Sequence, residues 1–300
     1  MKKTLKRFML VSDMHYTAEQ AEIDIFKSKH SSNVSFAAGD AFGYTQSEKI
    51  GKILEATKNE HDYSPIDQVL ILGDLSIDDY PFRALPYNYC QKFKAECMDM
   101  MPCPSCALPG NHDSYPNTEW RTVFGNDRQF SFEVDGIAFI MLDTFNQTAN
   151  DPSGAPYTGA DVSFIKERLK RYSGKKIFIC AHYIDTENDT DEFYNLVREN
   201  KEVVALFRGH THISDVIYTE KLGTKPLVDI GGYAYMGKRL LDGTYTFSIF
   251  DESYAWGYQI LEICESKVRI YHRTPAMLYR ALNGEFSVKE RISDDITINL

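Results

Sequence analysis

The chain has 300 residues, 43% of them apolar and 25% charged, which is enough for one sizeable globular domain. Its formal net charge of −10 argues against wrapping nucleic acid or lying on an anionic membrane, because both need a basic surface. The basic start "MKKTLKR" precedes only four apolar residues, 8–11, too short for a secretory core, and no run approaches the length that spans a bilayer. A cytoplasmic chain without a membrane anchor is the expectation.

In chain order, apolar runs of strand length alternate with helical spacing. Residues 8–11, "FMLV", read as a buried strand. Residues 48–59 place Ile50, Ile53 and Leu54 on one side of a helix, and "QVLIL" at 68–72 is a second buried strand. A helix over 88–101 and a short strand at 106–108 follow. "FSFEVDGIAFIML" at 130–142 predicts a hairpin turning at Asp135-Gly136. A helix over 161–172 starts on Asp161 as N-cap, and a strand at 176–181, a helix at 191–200 and a strand at 203–207 complete this series. Beyond residue 212 the segments are mainly β.

The expectation is therefore one α/β domain, 1–300, with two mixed β-sheets packed as a sandwich flanked by helices. Its βαβ-like part covers 1–212, its β-rich part 213–277, and 278–300 form a peripheral tail. The cysteines at 90, 97, 103 and 106 include one C-x-x-C, half of a four-thiolate site, and are read as free thiols.

Chemistry is concentrated just after the strands. The first is followed by Asp13 and His15, the second by Gly73-Asp74, the third by Pro-Gly-Asn111-His112-Asp113, a later one by His182, and the next by Gly-His210-Thr-His212. Singly, each is ordinary turn chemistry. Together they bring Asp, Asn and His to one rim of an open sheet, the carboxyl ends of its strands, where ligands bind. The two histidines of "GHTH" stand at i and i+2, on one side of an extended chain. Gly39-Asp40 competes with Gly73-Asp74. Only the latter follows a strong apolar strand, with the helix at 48–59 as its crossover, so Asp40 is assigned to a long connection over 16–47.

"DMH", "GD", "GNHD", an isolated strand-end His and "GHTH", in that order, resemble the calcineurin-like metallophosphoesterases over residues 8–212. The resemblance implies a four-layer α/β/β/α fold with two metal ions at the strand ends, the β-rich last third fitting the second sheet. It implies that Asp13, His15 and His212 bind the first ion, that Asn111, His182 and His210 bind the second, and that Asp74 bridges both. His112 then faces substrate. Mixed oxygen and nitrogen donors suit Mn, Fe or Zn. The implied reaction is phosphoester cleavage by a metal-activated hydroxide, with His112 as acid to the leaving alkoxide. Asp113 either orients an imidazole or caps the next turn.

Two departures narrow the resemblance. Ile77 stands where the purple-acid-phosphatase branch has its tyrosine, and "AHY" offers His182 alone where many members carry paired histidines. The small phosphorylated substrate is expected to be a phosphodiester ahead of a phosphomonoester, with a non-catalytic scaffold as the rival from another class. Tyr16, Tyr115 and Tyr183 each follow a motif closely and are candidates for lining its pocket. Arg208 and Lys238-Arg239 are read as solvated charges, with a second phosphate contact as the alternative.

Overall fold

The computed structural model describes residues 4–16, 46–76, 89–113, 115–145, 155–232, 236–239, 245–248, 257–273 and 296–300. The expectations for Asp40 and Ile77 fall outside these residues, as do those for the side chains of Lys238 and Arg239.

The first sheet is built on β1 (Thr4–Val11), β2 (Gln68–Leu72) and β3 (Ser105–Leu108), which run parallel. Parallel neighbours need crossovers, and α1 (Gln46–Tyr63) and α2 (Tyr89–Glu96) supply them. α1 buries Ile50 and Ile53 against Met9, Val69 and Ile71, as the helical spacing predicts. Helix α2 stops at Glu96, and a short 3-10 turn (Met98–Met100) takes the last part of the predicted 88–101 helix.

The second helix-bearing half begins with α3 (Asn117–Phe124), which the sequence pattern did not announce. The hairpin of β4 (Phe130–Val134) and β5 (Ile137–Leu142) turns at Asp135-Gly136, both at positive φ. α4 (Val162–Arg171) is capped by Asp161, whose carboxylate accepts from Phe164 N at 3.0 Å. β6 (Lys176–Ala181), α5 (Asp191–Glu199) and β7 (Val203–Arg208) follow.

The β-rich last third divides between the two sheets. β8 (Ser214–Ile217) and β9 (Leu227–Ile230) join the second, whose order is β4-β5-β6-β7-β9-β8. A separate ribbon pairs β10 (Met236–Arg239) with β11 (Tyr245–Ser248). β12 (Tyr258–Cys264) and β13 (Lys267–Arg273) instead return to the first sheet, where β12 lies antiparallel on β1. The edge of β1 left open by the β2 and β3 crossovers is filled in this way. Inside the region read as a tail, β14 (Ile296–Asn299) pairs with β13, so the first sheet reads β14-β13-β12-β1-β2-β3.

One apolar layer joins the sheets. Phe8, Leu10, Leu70, Leu72 and Leu108 from the first meet Phe139, Phe178, Cys180 and Phe207 from the second. The outer faces are covered separately by α1 and α2 on one side and by α4 and α5 on the other. This sandwich aligns the carboxyl ends of β1, β2 and β3 with those of β6 and β7.

Candidate metal centre

The seven predicted ligands meet at that shared rim. Each lies one to four residues beyond its strand: Asp13 and His15 after β1, Asp74 after β2, Asn111 after β3, His182 after β6, and His210 and His212 after β7. The first sheet supplies every oxygen donor, and the second supplies only imidazoles.

Two groups form. Asp13, His15 and His212 make one, with His15 Nε2 3.2 Å from His212 Nε2 and His212 Nε2 3.2 Å from Asp13 Oδ1. Asp74, His182 and His210 make the other, with His182 Nε2 3.2 Å from Asp74 Oδ2 and 3.3 Å from His210 Nδ1. Asn111 Oδ1 joins this second group, 3.2 Å from His182 Nε2 and 3.0 Å from His210 Nδ1. Asp74 stands between the two, its Oδ2 also 3.7 Å from His15 Nε2.

The chain is bent into this arrangement at a cost. Asp13, His15, Asp74, His210 and His212 all have φ between 42° and 66°, the left-handed region that disfavours a side chain by about 1–2 kcal/mol each. Among the described residues, the remaining non-glycine case is Asp135 of the hairpin turn. Such strain gathers where surrounding structure and function hold it. Two glycines allow the loops to close together. A Cβ on Gly110 would lie 2.1 Å from Asp74 Oδ1, and one on Gly209 would lie 2.5 Å from Ser12 Oγ and 2.7 Å from Asp13 Oδ2.

Burial and charge set the protonation. Burial pushes the Asp13 carboxyl up, but His212 and His182 outweigh it and hold Asp13 down at about 2. Asp74 is held well below the usual carboxylate range in the same way, by His182 and His112 against burial. Burial drives His15 far down, and burial with His182 beside it takes His210 down to about 4. His182 goes the other way, up to about 9, because Asp74 and Asp13 overcome its burial. Two anionic carboxylates thus face neutral imidazoles at His15 and His210, donor states that divalent cations require, and a His182 that the same carboxylates hold protonated.

Further observations fit a bound cation. Asp13 Oδ1 is buried and accepts no hydrogen bond. Ring nitrogens face one another at 3.2–3.3 Å. His182 Nδ1 donates to the Leu72 carbonyl at 2.7 Å, so Nε2 is the nitrogen that points into the cluster.

His112 differs from the others. Its backbone N–H donates to Asp74 Oδ1 at 3.0 Å, while its ring stays partly exposed over the cluster, 5.2 Å from the His15 ring. Asp113 is fully buried and accepts from the backbone N–H groups of Gly110 at 2.8 Å, Leu75 at 3.1 Å and Ser76 at 3.2 Å. It therefore fastens the third strand end to the second through the backbone, its hydrogen bonds running to Gly110 behind it and to Leu75 and Ser76 and not to the turn ahead.

The tyrosines separate. Tyr16 and Tyr115 are 2% and 5% exposed and pack in the outer core beneath the rim, so neither can offer a ring to a ligand. Tyr16 bonds Glu96 through its hydroxyl, and its apolar ring has simply gone where apolar surface goes. Tyr183 stays partly exposed beside His210. Arg208 is neither a solvated charge nor a phosphate contact. It is buried against Asp229, with Nε 2.5 Å from Oδ1, and donates to the Ile184 carbonyl.

Sequence reasoning missed Ser12, which hydrogen-bonds Asp13 Oδ2, and Phe145, which packs against His182 and His210 from the end of β5. The signal for Phe145 was its place after another buried strand, "IAFIML".

Comparison with known proteins agrees with this geometry. The family model of the calcineurin-like phosphoesterases matches residues 6–214. A dimetal phosphatase from Danio rerio shares the fold with a TM-score of 0.61 at 10% identity, covering 99% of each chain. A predicted phosphoesterase from Streptococcus pneumoniae aligns over 98% of each chain at 11% identity with a TM-score of 0.38. A 5'-nucleotidase from Candida albicans aligns over 79% of this chain and 48% of its own at 15% identity with a TM-score of 0.43. No curated protein sequence matches the chain. The chain belongs to the calcineurin-like phosphoesterase family and is a phosphoric ester hydrolase.

Proposed function

We propose that the chain is a dinuclear metal-dependent phosphohydrolase acting on a small phosphorylated substrate, with phosphodiesters favoured. The observation that carries this reading is the pair of donor groups joined through Asp74, with a buried Asp13 oxygen that no hydrogen bond satisfies. Asp13, His15 and His212 would hold one ion, Asn111, His182 and His210 the other, and Asp74 would serve both. Bound there, two ions of the Mn, Fe or Zn type would supply an activated water and a positive charge for the phosphoryl oxygens.

The chain's own residues do the rest. Asn111 gives an oxygen donor without charge, so the second position keeps more of its cationic character than a third carboxylate would leave. His112, partly exposed above Asp74, donates a proton to the departing alkoxide oxygen. Asp113 keeps the strand-end loops in register. The six cysteines are all unbridged, which suits the reducing cytoplasm. No helix among the described residues is long and apolar enough to cross a membrane. The acidic balance supports no nucleic-acid partner.

Hydrolysis of bis-p-nitrophenyl phosphate against p-nitrophenyl phosphate, with Mn added back after chelation, tests the reading. Mn-stimulated turnover of the diester supports it. Preferential turnover of the monoester would move the assignment to a phosphomonoesterase, and no turnover of either would overturn it.

A further inference from the structure

Around His182 and His210 the cluster is flanked by aromatic rings. Phe145 lies 5.7 Å from the His182 ring and 6.0 Å from the His210 ring. Tyr157 meets Phe145 at 5.7 Å and Tyr183 at 5.3 Å, both edge to face. Tyr183 lies 4.7 Å from His210.

These three rings are not equivalent. Phe145 is only 6% exposed, so it is a wall behind the histidines. The Tyr157 hydroxyl is committed to Asp189 and to the Asp185 backbone N–H. Tyr183 is partly exposed, and it is held from several sides. The Arg208 guanidinium sits 5.2 Å from its ring centre and is itself anchored by Asp229. Thr144 Oγ1 donates to the Tyr183 carbonyl at 2.9 Å. A ring that served packing alone would be covered, as Tyr16 and Tyr115 are. A ring already fixed loses little entropy on meeting a partner.

We infer that Tyr183 is a specificity-determining residue, presenting its ring to a planar aromatic group on the substrate while the phosphoryl group occupies the cluster beside His210. This rests on the phosphohydrolase reading and names its substrate class: phosphoesters carrying an aryl or heteroaryl group, ahead of those with small alkyl groups. Aromatic pairs of this kind add only a modest preference, about 3- to 10-fold in affinity.

Titration calorimetry of the metal-loaded protein with phenylphosphonate and methylphosphonate tests it without any variant. Phenylphosphonate is expected to bind about 3- to 10-fold more tightly. Tyr183→Leu, which keeps apolar bulk but removes the ring, should erase the difference, and Tyr183→Phe should keep it. The kcat/KM ratio of benzyl to ethyl phosphate, whose leaving alcohols are similarly acidic, should follow the same order. Equal affinities in the wild type, an unchanged ratio in Tyr183→Leu, or loss of the ratio in Tyr183→Phe would each overturn the inference. If neither phosphonate binds and neither these esters nor bis-p-nitrophenyl phosphate turn over, the phosphohydrolase reading fails and takes the inference with it. If both bind and turn over without preference, only the role of Tyr183 falls.

Discussion

Among the buried charge clusters of the described residues, two differ in what meets their carboxylates. Under β1, β12 and β13, Glu60 and Glu262 are enclosed with Arg7, Arg273 and Arg269. Every carboxylate oxygen there has a donor: Tyr258 at 2.9 Å and Arg7 on Glu60, Tyr271 at 2.6 Å and Arg269 at 2.9 Å on Glu262. At the rim, Asp13 and Asp74 are equally buried, but their partners are imidazoles, and Asp13 Oδ1 accepts nothing. The first cluster meets both carboxylates with fixed guanidinium cations and tyrosine hydroxyls, and what it leaves without a hydrogen bond is on the cations, Arg7 Nε and Arg273 Nη2. The second offers anionic oxygens and lone-pair nitrogens, pinned by left-handed backbone, and calls for cations from outside. Burial of charge is therefore not the mark of a site; an unmet demand for positive charge is.

That contrast can be broken experimentally, beginning with the largest effect. Asp74→Ala should lose metal from both positions and drop phosphoesterase turnover to background while circular dichroism stays native. Retained turnover would break the claim that Asp74 joins the two groups. His112→Ala should lower turnover by about 10²–10⁴-fold with metal content unchanged, since its partly exposed ring lies 3.9 Å from Asp74 Oδ2 and the seven other donors remain. Loss of metal would make it a ligand instead.

Glu60→Ala addresses the self-contained cluster. Removing one partner of a buried ion pair should cost about 3–5 kcal/mol in denaturant unfolding. The protein that remains folded should bind metal as before, and a fall in stoichiometry would show the clusters are one system. Asp113→Ala should weaken metal binding by about 10–100-fold, because the carboxylate positions two strand ends without touching an ion. Competition with a chelating dye would measure it, and an unchanged affinity would remove Asp113 from the account.

The smallest effect concerns the thiols. Burial pushes Cys103 up to about 11 and Cys106 up to about 12, from an ordinary 9.0. Folded-state values above the unfolded ones stabilise the fold fully below about pH 9, and that contribution is lost as pH rises through about 11–12. Iodoacetamide should label the native chain slowly at neutral pH, and thermal stability should decline over that alkaline window. Fast labelling would mean these thiols are not buried.

Much of the site was legible in the sequence because a buried strand is a strong apolar signal and the polar residue after it has one rim to reach. Asp13, His15, Asp74, Asn111, His182, His210 and His212 all follow such runs. Distances within the cluster were not legible, because left-handed φ at five of its residues leaves no trace in residue type. Nor was the pairing of Arg208 with Asp229, which joins neighbouring strands β7 and β9 across a register that the sequence does not state. In the fold, α3 escaped because it is a short helix with no side-chain cap at its start, Pro116 being its N-cap. The return of β12 to β1 escaped because strand order is a long-range property. Tyr16 and Tyr183 look alike in sequence, each following a motif histidine, and only packing separates the buried ring from the exposed one.

The central claim is that the rim cluster holds two metal ions. Metal analysis of the purified chain after loading and exhaustive dialysis tests it most directly. Two ions per chain, both lost in Asp74→Ala, is the result expected. One ion or none in a folded wild-type chain would contradict it.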